Sequence, residues 1–554
     1  MTQLSFREET AGFAKRETLF LAWLAALVSL FSFLYYFQHG QILFYGDAVA
    51  HINIARRVFD SQTPGLLQLG TVWLPLPHLL MLPFLLSDWM WQTGIGGSIP
   101  SMIAYVFGAI GIFRLTRDVL ESDARTKPAA GVGAWLAAFV YAANPNLIYL
   151  QATAMTEALY LAFFIWAVVY FFEFVLTLQK DAPERNRALF PCAGCLACAE
   201  LTRYDGWLLA TALGLIVALL SLQRWHDRTF RRMALKFLLV IAAAPLMWLA
   251  YNTAVYGNPL EFANGPYSAK AIEQRTAKPG YPAHPGAGNL SDAATFFLKS
   301  AELDMASGNW GRIWIVVALA GVVLATIEIR RKGVLLLLVV PLVFYTLSIA
   351  YGGVPIFLPV WWPFSWYNLR YGLQLLPLFA VSVGLIASAI PELTGRWPTR
   401  KLGMAVLALL VVLSYFSVWK AKPRCFEEAW VNSRTKLALE SAVAHSIAAF
   451  PERSVYLMYL GDHVGAFQQS GVPLRQVIDE GNHRPWKRPS DAEGLWERAL
   501  ADPAQYVDYV IAFQGDAVDQ QVARGRLTLL TEIHTKGQPA ARIYAARAAL
   551  NQSR

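Results

Sequence analysis

Nineteen consecutive residues without a charge, LFLAWLAALVSLFSFLYYF over Leu19–Phe37, set the first limit on this chain. A helix rises about 1.5 Å per residue, so about 20 apolar residues cross the hydrocarbon core of a bilayer. Similar runs recur along the 554 residues, which are 56% hydrophobic and 15% charged. Soluble chains carry about 25% charged residues, and disorder needs low hydrophobicity with high net charge, so neither class fits. The sequence reads as an α-helical polytopic membrane protein. Its first run exceeds the roughly 7–15-residue core of a signal peptide, and no small-x-small site follows it, so it reads as a retained helix. Four cysteines in this length imply no disulfide framework.

Run lengths predict eleven transmembrane helices, at about 18–38, 97–115, 130–148, 157–178, 188–202, 206–222, 235–251, 311–328, 333–351, 370–389 and 403–419. Lys and Arg in short loops mark the cytoplasmic side. With this count, Arg7, Lys15 and Arg16 share a side with Arg114, Arg117, Arg125 and Lys127. Lys180, Arg185 and Arg187, and then Arg224, Arg228, Arg231 and Arg232, join them. So do Arg330, Arg331 and Lys332, and finally Arg396, Arg400 and Lys401. The net charge of +9, from 47 Lys and Arg against 38 Asp and Glu, therefore serves orientation, and no nucleic-acid partner is expected. One segment resists this count. VWLPLPHLLMLPFLLSDWMW (Val72–Trp91) is apolar but carries Pro75, Pro77 and Pro83, and a proline inside a helix costs about 3 kcal/mol or more. A crossing here would flip every later basic loop, so broken interfacial or re-entrant helices on the outer face are expected.

The outer side then holds loops at 39–96, 252–310 and 352–369, short turns at Thr156–Glu157 and Arg203–Asp205, and everything from 420 onward. Residues 1–419 form the membrane domain, and 420–554 read as an extracytoplasmic α/β domain. There VYLMYL (Val455–Leu460), LRQVI (Leu474–Ile478) and YVDYVIAF (Tyr506–Phe513) look like strands, and polar stretches such as Asp491–Asp502 look helical. No glycine-rich phosphate loop or metal-ligand cluster marks this domain, and a docking or lid role is the only one assigned to it. The arrangement suits a bacterial inner membrane protein with a cytoplasmic N-terminus.

An ionisable residue at a membrane boundary is a functional candidate, because burying it costs energy. Asp47 lies in FYGDAVAHINIARRVFDS (Phe44–Ser61), four residues before His51. Glu157 follows Thr156 where the chain turns back into the membrane. Arg203 and Asp205 share LTRYDGW (Leu201–Trp207), and Arg370 opens a helix among Trp361, Trp362, Trp366, Tyr367 and Tyr371. Simple readings stand beside the functional one: helix caps for Asp47 and Glu157, a local ion pair for Arg203, a snorkelling side chain for Arg370. Together, however, carboxylates and guanidiniums at one depth suit a general base beside groups that hold a phosphate. Cys192, Cys195 and Cys198 read as small packing residues, His78 as structural, and Asp60 and Asp88 as caps or surface charges.

The Asp after the first helix, W-L-P-L-P in the broken segment, Thr-Glu between helices three and four, T-R-Y-D-G-W and R-Y…P occur together over about 18–390. In combination they resemble the type-C glycosyltransferases, in particular the protein O-mannosyltransferases and lipid A aminoarabinose transferases. The resemblance implies an inverting transferase that moves a hexosyl or pentosyl group from a polyprenyl-phosphate donor to a hydroxyl on a protein, lipid or glycan of the cell envelope. It makes Asp47 the general base and Glu157 the second acid. Arg203, Arg370 and Lys270 become ligands of the donor phosphate, with His51, Asp205 and Tyr267 in support. The outer loop YNTAVYGNPLEFANGPYSAKAIEQR (Tyr251–Arg275) would bring Tyr267, Lys270 or Arg275 over the donor. Some relatives need a divalent metal and others do not. The single Asp47 followed by Ala48, in place of paired acids, weakens the case for a metal there, and no cofactor is assigned. A transporter or lipid flippase is the alternative, although no inverted repeat is evident.

Overall fold

A computed structural model describes residues 3–179, 186–276, 280, 282–328, 332–394, 397–482, 494–522 and 527–546. Lys180, Arg185, Arg330, Arg331, Arg396 and positions 491–493 lie outside the described residues. The first helix, α1 (Gln3–Gln38), is followed by α2 (Gly46–Arg57), α3 (Leu76–Leu85), α4 (Asp88–Gln92) and α5 (Ile95–Glu121). Then come α6 (Ala130–Ala142), α7 (Pro145–Gln151), α8 (Glu157–Gln179), α9 (Asn186–Glu200), α10 (Asp205–Gln223) and α11 (Arg228–Tyr256). Two short helices, α12 (Glu261–Asn264) and α13 (Ala269–Thr276), precede α14 (Leu290–Met305) and α15 (Gly311–Ile327). Later helices are Val340–Tyr351, Leu376–Thr394, Trp397–Ala421 and Arg424–Ala448.

Among the described residues, nine helical spans are long and apolar enough to cross a membrane. The other two expected spans are shorter. The 130–148 run breaks because Asn144 caps a new helix, its side chain accepting from the amides of Asn146 and Leu147, with Pro145 at the first position of α7. The 188–202 run is the 15-residue α9. The segment 72–91 is indeed broken, into the 10-residue α3 and the 5-residue α4, both too short to span. It packs onto the turn after α9: the Leu76 amide donates to the Leu201 carbonyl at 3.0 Å, and the Tyr204 hydroxyl to the Val72 carbonyl at 3.0 Å.

The span Leu369–Ile390 is the central one, 83% buried, whereas α1 is 22% buried and turns Phe20, Trp23 and Phe31 outward. A helix apolar on all sides is either buried or lipid-facing, and these two cases are both present.

After the last span, Lys422 adopts a left-handed φ of +67° and Pro423 starts Arg424–Ala448. A mixed five-stranded sheet follows, in the order β2-β1-β3-β5-β4. Its strands are β1 (Tyr456–Met458), β2 (Val477–Ile478), β3 (Tyr509–Phe513), β4 (Thr528–Ile533) and β5 (Ala541–Ala545). β1 lies parallel to β2 and β3, while β5 pairs antiparallel with β3 and β4. The three strands legible in the sequence are present, the second reduced to two residues behind a 3-10 turn at Leu474–Gln476.

Candidate active site

Asp47, Glu157, Arg203 and Arg370 meet in one largely buried network. Asp47 sits in the first turn of α2, but the helix cap is Tyr45, with no side-chain cap bond, so Asp47 is free for another partner. Its Oδ2 accepts from Arg370 Nη2 at 2.6 Å. Glu157, the first residue of α8, is fully buried, and its Oε1 accepts from Arg370 Nε at 3.2 Å and from Arg203 Nη1 at 3.1 Å. One carboxylate oxygen thus bridges two guanidiniums. Its other oxygen, Oε2, is buried without a partner.

Arg203 also donates to Thr156 Oγ1 at 3.1 Å and to the Tyr345 hydroxyl at 2.8 Å, and its Nε lies 3.5 Å from Asp205 Oδ1. Tyr345 donates onward to Asp205 Oδ2 at 3.0 Å. Both guanidiniums lie 5.1 Å from the centre of the Tyr371 ring, so an aromatic face fixes their planes. The local ion pair and the snorkelling arginine are therefore parts of a larger arrangement, and neither acid serves as a helix cap.

Arg370 has a third carboxylate partner, Glu428, whose Oε1 accepts from Nη1 at 2.8 Å. Glu428 is fully buried on the helix Arg424–Ala448 and also accepts from the amides of Asn368 (3.2 Å) and Leu369 (2.7 Å). Asn368 has a left-handed φ of +59° where the 3-10 turn Leu369–Leu375 begins, and Glu428 holds that turn and its arginine together. The region beyond 420, to which the sequence assigned no chemistry, thus contributes a side chain to the network. In FEEAW (Phe426–Trp430) nothing separates Glu428 from an ordinary surface acid.

The network walls a cavity of about 860 Å³ lined by Asp47, His51, Glu157, Arg203, Lys270 and Arg370, with the aromatic rings of Tyr204, Trp207, Phe344 and Tyr351. That volume lies in the range of small-molecule sites. Tyr267 is not in this lining; it is half-exposed and bonds with Tyr459 of the C-terminal region. Arg275 also turns away, onto the Pro266 carbonyl. His51 Nδ1 lies 2.9 Å from His78 Nε2, so His78 reaches the cavity wall through His51.

Asp88 is the surface charge expected, whereas Asp60 is buried, and neither is a cap. They flank the buried Arg56 of α2 at 2.8 and 2.5 Å, and Asp60 also meets Arg475 at 3.2 Å. Cys192 is buried and its thiol donates to the Ala167 carbonyl at 3.3 Å, as a packing residue would. Among the described residues, no group of three or more His, Cys, Asp or Glu is arranged to hold a metal ion. The acids of the cavity are engaged by guanidiniums instead.

No protein-family model matches the chain, and no curated protein does. Solved structures do. ArnT from Cupriavidus metallidurans in the apo state aligns over 96% of this chain and 98% of its own, with a TM-score of 0.56 and 13% identity. The fold is that of the type-C glycosyltransferases. The same ArnT bound to undecaprenyl phosphate aligns over the same shares with a TM-score of 0.54 and 14% identity. An oligosaccharyltransferase from Archaeoglobus fulgidus tethered with an acceptor peptide aligns at 0.47 and 11% identity, over 91% of this chain and 70% of its own. The type-C fold thus extends through the C-terminal sheet, beyond the 18–390 that the sequence motifs cover.

Proposed function

We propose that this chain is an inverting glycosyltransferase that moves a sugar from a polyprenyl-phosphate donor to a hydroxyl acceptor at the extracytoplasmic face. The observation that carries this reading is the convergence of Asp47, Glu157, Arg203 and Arg370 on one cavity at one end of the helices. The likeness in fold to an ArnT that binds undecaprenyl phosphate supports the donor class.

Arg203, Arg370 and Lys270 share the cavity lining and are the cations offered to the donor phosphate. The planar arginine forks neutralise charge as the carbon–oxygen bond to the sugar breaks and the phosphate departs. Glu157 and Glu428 are anions that keep the guanidiniums in place, since a buried charge needs pairing. Asp47 is 39% exposed; with Oδ2 held by Arg370, Oδ1 is left for the acceptor hydroxyl. It takes the hydroxyl proton as that oxygen attacks the anomeric carbon from the side opposite the phosphate, which inverts the centre.

The test is turnover of a polyprenyl-phosphate sugar by the reconstituted protein and by Asp47→Asn. Asn retains an oxygen for Arg370 but loses the base, so turnover is expected to fall about 100-fold or more with the thermal midpoint nearly unchanged. Full turnover by Asp47→Asn would remove Asp47 from the mechanism.

A further inference from the structure

His51 and His78 form a buried pair whose proton position is decided by its far end. Both rings are buried, His51 lines the cavity, and its Nδ1 lies 2.9 Å from His78 Nε2. A single proton occupies that contact, and it leaves two arrangements. If His51 donates, its Nε2 faces the cavity as a bare lone pair, and His78 carries a proton on Nδ1. If His78 donates, His51 carries its proton on Nε2, toward the cavity, and His78 Nδ1 is a bare lone pair. His78 Nδ1 is buried with no partner, so the first arrangement strands a donor and the second strands an acceptor. Orphaned buried N–H groups are the rarer of the two.

We infer that His78 holds His51 in the Nε2–H tautomer, so that His51 presents a neutral, fixed hydrogen-bond donor to a phosphate oxygen of the ligand in the cavity. This rests on the cavity being the donor site proposed above. Two further features agree. His51 stands four residues after Asp47 on α2, which places both on one helix face. Burial, and then the charges of Arg370 and Arg203, push His51 down to about 3, so the ring stays neutral and the tautomer, not protonation, decides what it offers. The Trp73 ring, 4.7 Å from that of His51, closes the pair from the side. His51 would touch the ligand; His78 is a positioning residue.

Two measurements test this on the full chain in nanodiscs. The first is the ¹⁵N spectrum of the histidine rings, with the His51 signals assigned by their loss in His51→Gln. A bare Nδ1 and a protonated Nε2 are expected; the reverse pattern, or a doubly protonated ring at neutral pH, overturns the tautomer. The pattern is expected to survive in His78→Gln, whose amide still donates to Nδ1, and to be lost in His78→Leu. The second is binding of undecaprenyl phosphate. His51→Gln, whose amide nitrogen reaches the place of Nε2, is expected to bind within about threefold of the parent, and His51→Phe about tenfold more weakly. Equal binding by His51→Phe overturns the contact to phosphate. If the parent itself turns over no polyprenyl-phosphate sugar while the spectrum is as expected, the proposed function fails and the histidine assignment stands.

Discussion

Glu157 has to satisfy two guanidiniums with one oxygen, and this sharing explains why no single residue of the site was decisive in the sequence. Asp47, Glu157, Arg203 and Arg370 each admitted a local reading; Arg203 keeps its short contact to Asp205, but the partners that build the site lie far away: Arg370 pairs across 323 residues with Asp47 and 213 with Glu157. What was legible was their common depth. Glu428 was not, because its role depends on the left-handed Asn368 and the 3-10 turn that follows, which leave no signature near Glu428 itself. Glu428→Ala leaves Arg370 with a lost partner in a buried site, so unfolding in denaturant is expected to show a loss of about 3–5 kcal/mol; a loss under 1 kcal/mol would mean that Arg370 is held without it. His51 gives a second check. In the folded chain it titrates near 3, against 6.5 in an unfolded one. Between those values the unfolded state binds more protons, so stability rises with pH over that window and is lost as pH falls through it. His51→Gln is expected to flatten this part of the stability–pH curve, measured by thermal unfolding from pH 4 to 7.

At the scale of elements, α2 is positioned by its partners rather than by its own sequence. Asn53 donates to Gln468 at 2.7 Å, Gln468 to the Trp91 carbonyl at 2.8 Å, and the Trp91 indole to Asn53 Oδ1 at 3.0 Å. This closed ring ties the helix carrying Asp47 and His51 to both the broken segment and the C-terminal region. Gln468→Ala breaks it and buries an unsatisfied amide, with an expected cost of about 1–3 kcal/mol in thermal unfolding; an unchanged midpoint would show that the ring does not hold α2. Long spans were readable because a bilayer demands an unbroken apolar run. The short elements were harder. Asn144 cuts one expected span, and β4, an exposed edge strand with no apolar alternation, carries no strand signal in the sequence. β1 and β3 are buried apolar runs and announced themselves.

At the scale of the whole molecule, the network bears on the path of the chain through the membrane. Asp47 precedes the proline-broken segment, and Glu157, Arg203 and Arg370 follow it. All four meet at one end, so the chain between Asp47 and Glu157 makes an even number of crossings, as α5 and the α6–α7 pair supply. A crossing by 72–91 would have separated them. In a cysteine-free background, a cysteine at the exposed Ser291 is expected to react with a membrane-impermeant thiol reagent from outside, and one at the exposed His226 only after permeabilisation; the opposite pattern would invert the orientation. The account rests above all on the cavity holding a lipid-linked phosphate. The most direct test is undecaprenyl phosphate binding to the purified chain and to Arg203→Gln in nanodiscs. Saturable binding by the parent, weakened about tenfold or more in Arg203→Gln, is expected. A parent that does not bind, or a variant that binds as tightly, would contradict it.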